Sequence, residues 1–141
     1  MSLSLSKANK IIRVAMKKAE ELGLKPMTVV VLDAGGHMKA MQRSDGSSIL
    51  RPQIAHGKAY GALAMGVGSA TLEKMFIDRP HFGSGLNAIS DGVVPVAGGV
   101  LARNKRGEIV GAVGVTGDTS DNDETCAVAG IEVAALVADA G

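Results

Sequence analysis

The chain has 141 residues, the size of one ordinary domain and enough to bury a continuous core. Hydrophobic residues make up 46% of the chain and charged residues 21%, which is typical of a globular protein. Because 15 Lys and Arg residues nearly balance 14 Asp and Glu residues, and only 2% of residues are aromatic, the composition argues against nucleic acid as a partner.

Several features bear on location and assembly. No apolar run approaches the roughly 18 residues that cross a bilayer, and the N-terminus lacks a signal-peptide pattern, so we expect a cytoplasmic protein with no membrane partner. The single cysteine, Cys126, excludes an intramolecular disulfide and a multi-cysteine metal site. A glycine-rich, aromatic-poor core predicts burial completed by self-association, hence a homo-oligomer.

The first half of the chain is predicted to form a helix, a β-hairpin and a second helix. Apolar residues spaced three and four apart predict a helix over 5–22. A β-branched run predicts a strand over 27–33, and the glycines that follow predict a turn into an antiparallel strand over 37–42. A second helix is expected over 49–65, with Pro52 in its first turn.

The second half is predicted as a short helix over 70–76 capped by Ser69, then a long surface loop over 77–92. Short strands are expected at 93–96, 100–103 and 109–115. Ser120 is expected to cap a final helix, with Ala134 and Val137 on its buried face. Helices around hairpin-linked strands predict an α+β fold, and we expect one domain over residues 1–141.

An ordered set of motifs resembles the GlcG/HbpS family, which includes the C-terminal domain of PduO-type proteins. The motifs are VLDAGG at 31–36, RSDG at 43–46, AHGKA at 55–59, PVAGG at 95–99, GAVGVTG at 111–117 and DE at 123–124. The resemblance covers essentially the whole chain and implies a profilin-like fold, an antiparallel five-stranded sheet with helices on both faces, in a larger homo-oligomer.

The resemblance also implies functions. Some members bind haem, and others are associated with glycolate, diol or ether-carboxylate metabolism. In the haem-binding PduO-type domains the N-terminal helix carries a histidine ligand, whereas the first histidine of this chain is His37.

Two cations share the apolar face of the second predicted helix. Arg51 and Lys58 are seven positions apart, and at about 100° per residue they are nearly eclipsed. Because an unpaired buried charge is costly, one interpretation is a pocket in which both hold a carboxylate. Lys58 is then the candidate catalytic base. The alternative is that Lys58 reaches solvent or pairs with a carboxylate of Asp33, Asp45 or Glu124.

Other residues complete the candidate ligand-binding set. Asp45 is either a plain turn residue or a group that orients Lys58 or contacts ligand. The pair Gly98 and Gly99 either forms a tight turn or presents backbone N–H groups to an anion. Glu124, in the family-matching DE motif, is the remaining candidate.

Three histidines are candidate haem ligands. His56 lies across the second helix from Lys58, so it belongs either to a haem or metal site, or to a subunit contact or the solvated surface. His81 lies in the predicted loop and His37 begins a strand, and ordinary surface placement is the alternative for both. Their scatter along the sequence does not fit a zinc site, so no metal is predicted.

These observations leave three functions open. The first is a small-ligand-binding oligomer, with haem as the ligand that the family suggests. The second is an enzyme or accessory protein acting on a small carboxylate, such as a glycolate-type or ether-linked acid. The third is a scaffold whose main role is oligomerisation.

Overall fold

The computed structural model describes residues 3–141, which form five helices and a five-stranded sheet. The helices are α1 (Leu5–Glu21), α2 (Arg51–Met65), α3 (Ser69–Asp78), α4 (Pro80–Ala88) and α5 (Ser120–Val133). The strands are β1 (Thr28–Asp33), β2 (Met38–Arg43), β3 (Gly99–Arg103), β4 (Ile109–Thr116) and β5 (Val137–Asp139). None of the helices described is long and apolar enough to cross a membrane.

The sheet is antiparallel throughout, with strand order β2-β1-β4-β3-β5. Side chains of alternating residues along β1 enter two different cores. Val29 and Val31 join one cluster, which includes residues of α1 and α5, whereas Val30 and Leu32 join another with α2. The predicted α+β architecture, with an antiparallel five-stranded sheet and helices on both faces, is therefore confirmed.

Helix α2 lies very close to the sheet because a glycine of β4 faces it. A Cβ atom on Gly114 would collide with the carbonyl oxygen of Ala55, and it would lie 3.2 Å from the Ala59 Cβ atom. Small residues on both elements thus let the two backbones approach. This close packing places the α2 face that carries Arg51 and Lys58 against the end of β4.

The prediction of a long surface loop over 77–92 is wrong, because α4 occupies most of this segment. Pro80 starts this helix at a position where its missing N–H costs nothing. Gly83 lowers helix propensity but allows contact with α3, since a Cβ atom there would come within 2.6 Å of the Phe76 ring. Packing of α4 on α3 thus overrides the weak local propensity.

The predicted strand over 93–96 is also wrong, and the fifth strand lies instead at β5. The valines of this segment lie along α2, where a Cβ atom on Gly57 or Gly61 would collide with Val94 or Val93. The Val94 N–H donates to the Gly57 carbonyl at 3.1 Å, so helix contacts replace sheet pairing.

The predicted helix caps are displaced by one residue. Thr119, not Ser120, caps α5 by accepting a hydrogen bond from the Asn122 N–H. Gly68, not Ser69, precedes α3, and the Ser69 hydroxyl accepts from the Gly99 N–H instead. Helix α5 ends before Val137, which is half exposed in β5 rather than part of a buried helical face.

Candidate functional site

The Lys58 side chain is enclosed between α2, β4 and α5. Its Nζ atom donates to Asp123 Oδ2 at 3.1 Å and to the Val115 carbonyl at 3.0 Å, and the side chain is 2% exposed. Lys58 therefore neither reaches solvent nor pairs with Asp33, Asp45 or Glu124, the partners that the sequence suggested. The ammonium group lies against a carboxylate brought from α5.

Asp123 is held on both carboxylate oxygens. While Oδ2 faces Lys58, Oδ1 accepts at 2.9 Å from the N–H of Asp118, which lies just before α5. Burial lowers the pKa of Lys58 below its ordinary value, the Asp123 carboxylate opposes that change, and the nearby Arg51 charge reinforces it. The pair is hydrogen-bonded on both sides, as a buried charge requires.

Arg51 reaches the same end of β4 as Lys58. Its Nη1 atom donates to the Thr116 hydroxyl at 2.8 Å, and the residue is only partly buried. The predicted shared face of the two cations is thus present, with bonds to successive residues of one strand. Binding of a small carboxylate by this pair stays a prediction. The Lys58 side chain is 2% exposed and its amine is already bonded to Asp123 and the Val115 carbonyl, so a ligand would compete with both groups for it.

Gly98 and Gly99 pack directly on Lys58. Gly98 has a φ of +121°, and a Cβ atom there would lie 2.8 Å from Lys58 Nζ. A Cβ atom on Gly99 would collide with the Lys58 carbonyl oxygen, and the Gly99 N–H is bonded to Ser69. The two glycines thus supply space for the buried lysine, and one of the two proposed anion-binding N–H groups is already occupied.

The acidic candidates occupy separate positions. Asp45 is exposed in the turn after β2, and the neighbouring Gly46 has a φ of +84°, as the turn interpretation expects. Glu124 lies on α5 next to Asp123, and its Oε1 atom is buried without a hydrogen-bond partner among residues 3–141. Burial, followed by the charges of Asp121 and Glu73, raises the pKa of Glu124.

Sequence reasoning missed Asp123 as the central partner of Lys58. The available signal was the DE motif itself, but an acidic residue in a first helical turn also fits a capping role. The two partners are 65 residues apart in sequence, so their contact depends on how α2 and α5 flank the sheet.

The three histidines occupy different environments. His37 has a side chain that is 83% exposed, and its Nδ1 atom lies 3.3 Å from Asp33 Oδ1 in the β1–β2 turn. His81 is exposed in the first turn of α4. His56 is partly buried and stacks on Tyr60, with ring centroids 5.8 Å apart and an angle of 14° between the rings.

His56 lines a groove of about 690 Å³ between α2, β2 and the segment after α4. We call this the His56 groove. Most of its other lining side chains are apolar, and one of them carries a thioether sulfur: Met38, Leu50, Pro52, Ile54, Val93 and Val94. Within residues 3–141, no group of three His, Cys, Asp or Glu side chains is placed to hold a metal ion directly.

Comparison with known proteins gives one family over most of the chain. Residues 3–132 match the model of the HbpS-like family, described as haem degrading protein HbpS-like. The chain is 30% identical over 124 residues to the corrinoid adenosyltransferase PduO of Citrobacter freundii, covering 87% of this chain and 36% of PduO. It therefore spans about a third of that relative's length.

Solved structures share the fold. The PduOC:haem complex superposes with a TM-score of 0.84 at 25% identity, covering 96% of this chain and 97% of that one. The crystal structure of HbpS gives a TM-score of 0.81 at 30% identity, covering 94% and 90% of the two chains. Klebsiella pneumoniae ORFY gives the same score at 25% identity, with 94% and 90% covered.

Proposed function

Since the chain belongs to the HbpS-like family, we propose that it is a small-ligand-binding protein and that its ligand is haem. Support comes from a solved neighbour of the same fold that carries haem in its complex. In that neighbour's type of domain a histidine of the N-terminal helix is the expected ligand, and α1 of this chain has none. Under this proposal a residue outside α1 holds the iron in this chain.

The observation that carries the proposal is that His56 and Met38 line the same groove. Imidazole nitrogen and thioether sulfur are both established axial ligands of haem iron. The groove falls in the usual size range of small-molecule sites, and its walls are mainly apolar, which suits a porphyrin face. The residues present thus fit the group, with His56 as the expected ligand and Met38 as the second candidate.

The imidazole of His56 is oriented by its neighbours. Tyr60 lies one helical turn further along α2 and stacks on the imidazole, while its hydroxyl accepts from the Asp91 N–H at 3.3 Å. Asp91 lines the same groove, so Tyr60 connects α2 to the opposite wall. Because the imidazole is already held in one orientation, its binding to iron would lose less side-chain conformational entropy. Bound haem would supply a redox-active iron, and the protein would set its access to solvent.

Titration with haemin tests this proposal. We expect a Soret band that sharpens and saturates at one haem per chain, and a spectrum that changes when His56→Ala removes the ligand. His81→Ala is the matched control, because His81 is exposed in α4 and should leave the spectrum unchanged. Circular dichroism of each variant checks that the fold is intact. A spectrum unaffected by His56→Ala would exclude ligation by this histidine.

We further propose that the chain forms a homo-oligomer through apolar side chains beside the His56 groove. Ile49 is 90% exposed and directly precedes Leu50 of the groove lining, and Ile89 is 84% exposed and lies between the lining residues Asn87 and Asp91. Such exposed apolar side chains, next to an edge strand, are typical of an interaction surface. Light scattering should give a multiple of the chain mass, and Ile89→Asp should lower it. An unchanged mass would exclude this surface as the interface, and a monomeric mass for the unmodified chain would exclude the oligomer.

A further inference from the structure

A second cavity lies beside the first turn of α1. It has a volume of about 460 Å³ and is bounded by the start of α1, the β3–β4 turn and the segment after α5. We call it the Leu136 cavity. Its apolar wall is formed by Leu3 and Val110, which are buried, and by Leu136, which packs against the same core cluster. The cavity thus presents a hydrophobic surface in a volume large enough to hold an alkyl chain.

Three cations lie around this apolar wall, namely Lys7, Lys105 and Arg106. Arg106 pairs with Glu108 at 2.8 Å, but both side chains are more than half exposed, so water screens that pair. Lys7 and Lys105 make no ion pair within residues 3–141. The cavity therefore combines an apolar interior with a positively charged mouth.

Lys7 increases this positive potential because of its place in α1. It lies in the first turn, where the helix dipole favours acidic residues, yet that turn contains none. At the neighbouring end of α5, the Ala135 and Leu136 N–H groups donate to the Glu132 and Ile131 carbonyls. Those terminal carbonyls are thus already satisfied. An anion at the mouth would offset the unfavourable charge of Lys7.

We propose that the Leu136 cavity binds an amphiphile with one anionic head and an alkyl tail, such as a medium-chain carboxylate. The tail lies against Leu3, Val110 and Leu136, and the head lies between Lys7 and Lys105. This site is separate from the haem proposal, because none of the side chains lining the cavity offers an imidazole or sulfur ligand to iron.

Isothermal titration with dodecanoate, below its micelle concentration, tests the proposal. We expect one dodecanoate per chain, an affinity that falls as salt rises, and no comparable binding of dodecyltrimethylammonium, which has the same tail and opposite charge. Hexanoate should bind at least about 100-fold more weakly, because six buried methylene groups are lost. Equal binding of the two dodecyl compounds would overturn the proposal, as would the absence of dodecanoate binding.

Surface variants locate the bound dodecanoate without disturbing the core. Lys7→Gln combined with Lys105→Gln should weaken dodecanoate about fivefold or more by removing two charges at the mouth. The matched control is Lys39→Gln combined with Lys74→Gln, since both lysines are exposed on β2 and α3. His56→Ala should also leave dodecanoate binding unchanged. Equal losses in the two double variants, or a loss in His56→Ala, would show that the cavity is not the site.

Discussion

The Lys58 Nζ and Asp123 Oδ2 atoms lie 3.1 Å apart, and each side chain is 2% exposed. Removing one partner of a buried pair leaves an uncompensated charge, which costs about 3–5 kcal/mol. We expect Asp123→Asn to lower the free energy of unfolding by about 3 kcal/mol, at the lower end of that range, because the amide oxygen can still accept from Lys58. Urea denaturation followed by circular dichroism measures this loss.

A double variant distinguishes pairing from simple packing at this position. Lys58→Met removes the cation. The double variant should therefore lose less free energy of unfolding than the sum of the two single variants, by a coupling of about 1–3 kcal/mol. Strictly additive losses would show that the two charges do not depend on each other.

Glu124 makes the stability depend on pH in a defined direction. Since burial raises the pKa of Glu124 above its ordinary value in the folded state, folding favours its protonated form. The contribution of Glu124 to stability is therefore present in acid and is lost as pH rises through the raised pKa.

The variant Glu124→Gln keeps the shape and removes the charge. It should raise the melting temperature at pH 7 by about 2 °C. The difference in melting temperature from the unmodified protein should shrink towards pH 4. Thermal melts from pH 4 to pH 8 provide the measurement. A difference between the two proteins that stays constant over this range would contradict the raised pKa.

Ala135 has a φ of +61°, a conformation in which glycine is favoured over residues with a Cβ atom. It follows the last residues of α5, and its N–H donates to the Glu132 carbonyl at 3.0 Å. Ala135→Gly should therefore raise the free energy of unfolding by about 0.5–1 kcal/mol. The control is Ala129→Gly within α5, which should lower it by about 1 kcal/mol. Equal effects of the two changes would contradict this account of Ala135.

Much of the fold could be predicted from hydrophobic periodicity. The spacing of Ala8, Ile11 and Ile12 specifies the buried side of α1, and the β-branched run of β1 specifies a strand buried on both faces. Prediction failed where tertiary packing outweighs local preference. Gly83 weakens α4 locally but is needed against Phe76, and Val94 resembles a strand residue but packs on α2.

The candidate site was predictable only in part, for a similar reason. Helical geometry alone places Arg51 and Lys58 on one face of α2. The buried partner Asp123 belongs to a helix 65 residues away, so identifying it requires the sheet that separates α2 from α5. His56 was recognisable as a candidate ligand, whereas the Met38 side chain facing the same groove follows from the position of β2 beside α2.

The proposed haem site can be located directly by nuclear magnetic resonance. Ferric haem is paramagnetic, so its iron broadens the signals of nearby backbone amides in a haemin-loaded, isotope-labelled sample. Iron held by His56 in its groove predicts broadening of the Gln53, His56 and Val93 amides, while the Lys105 and Leu136 amides keep their linewidths. Broadening centred on Lys105 and Leu136, or spread evenly over the surface, would contradict the assignment of haem to the His56 groove.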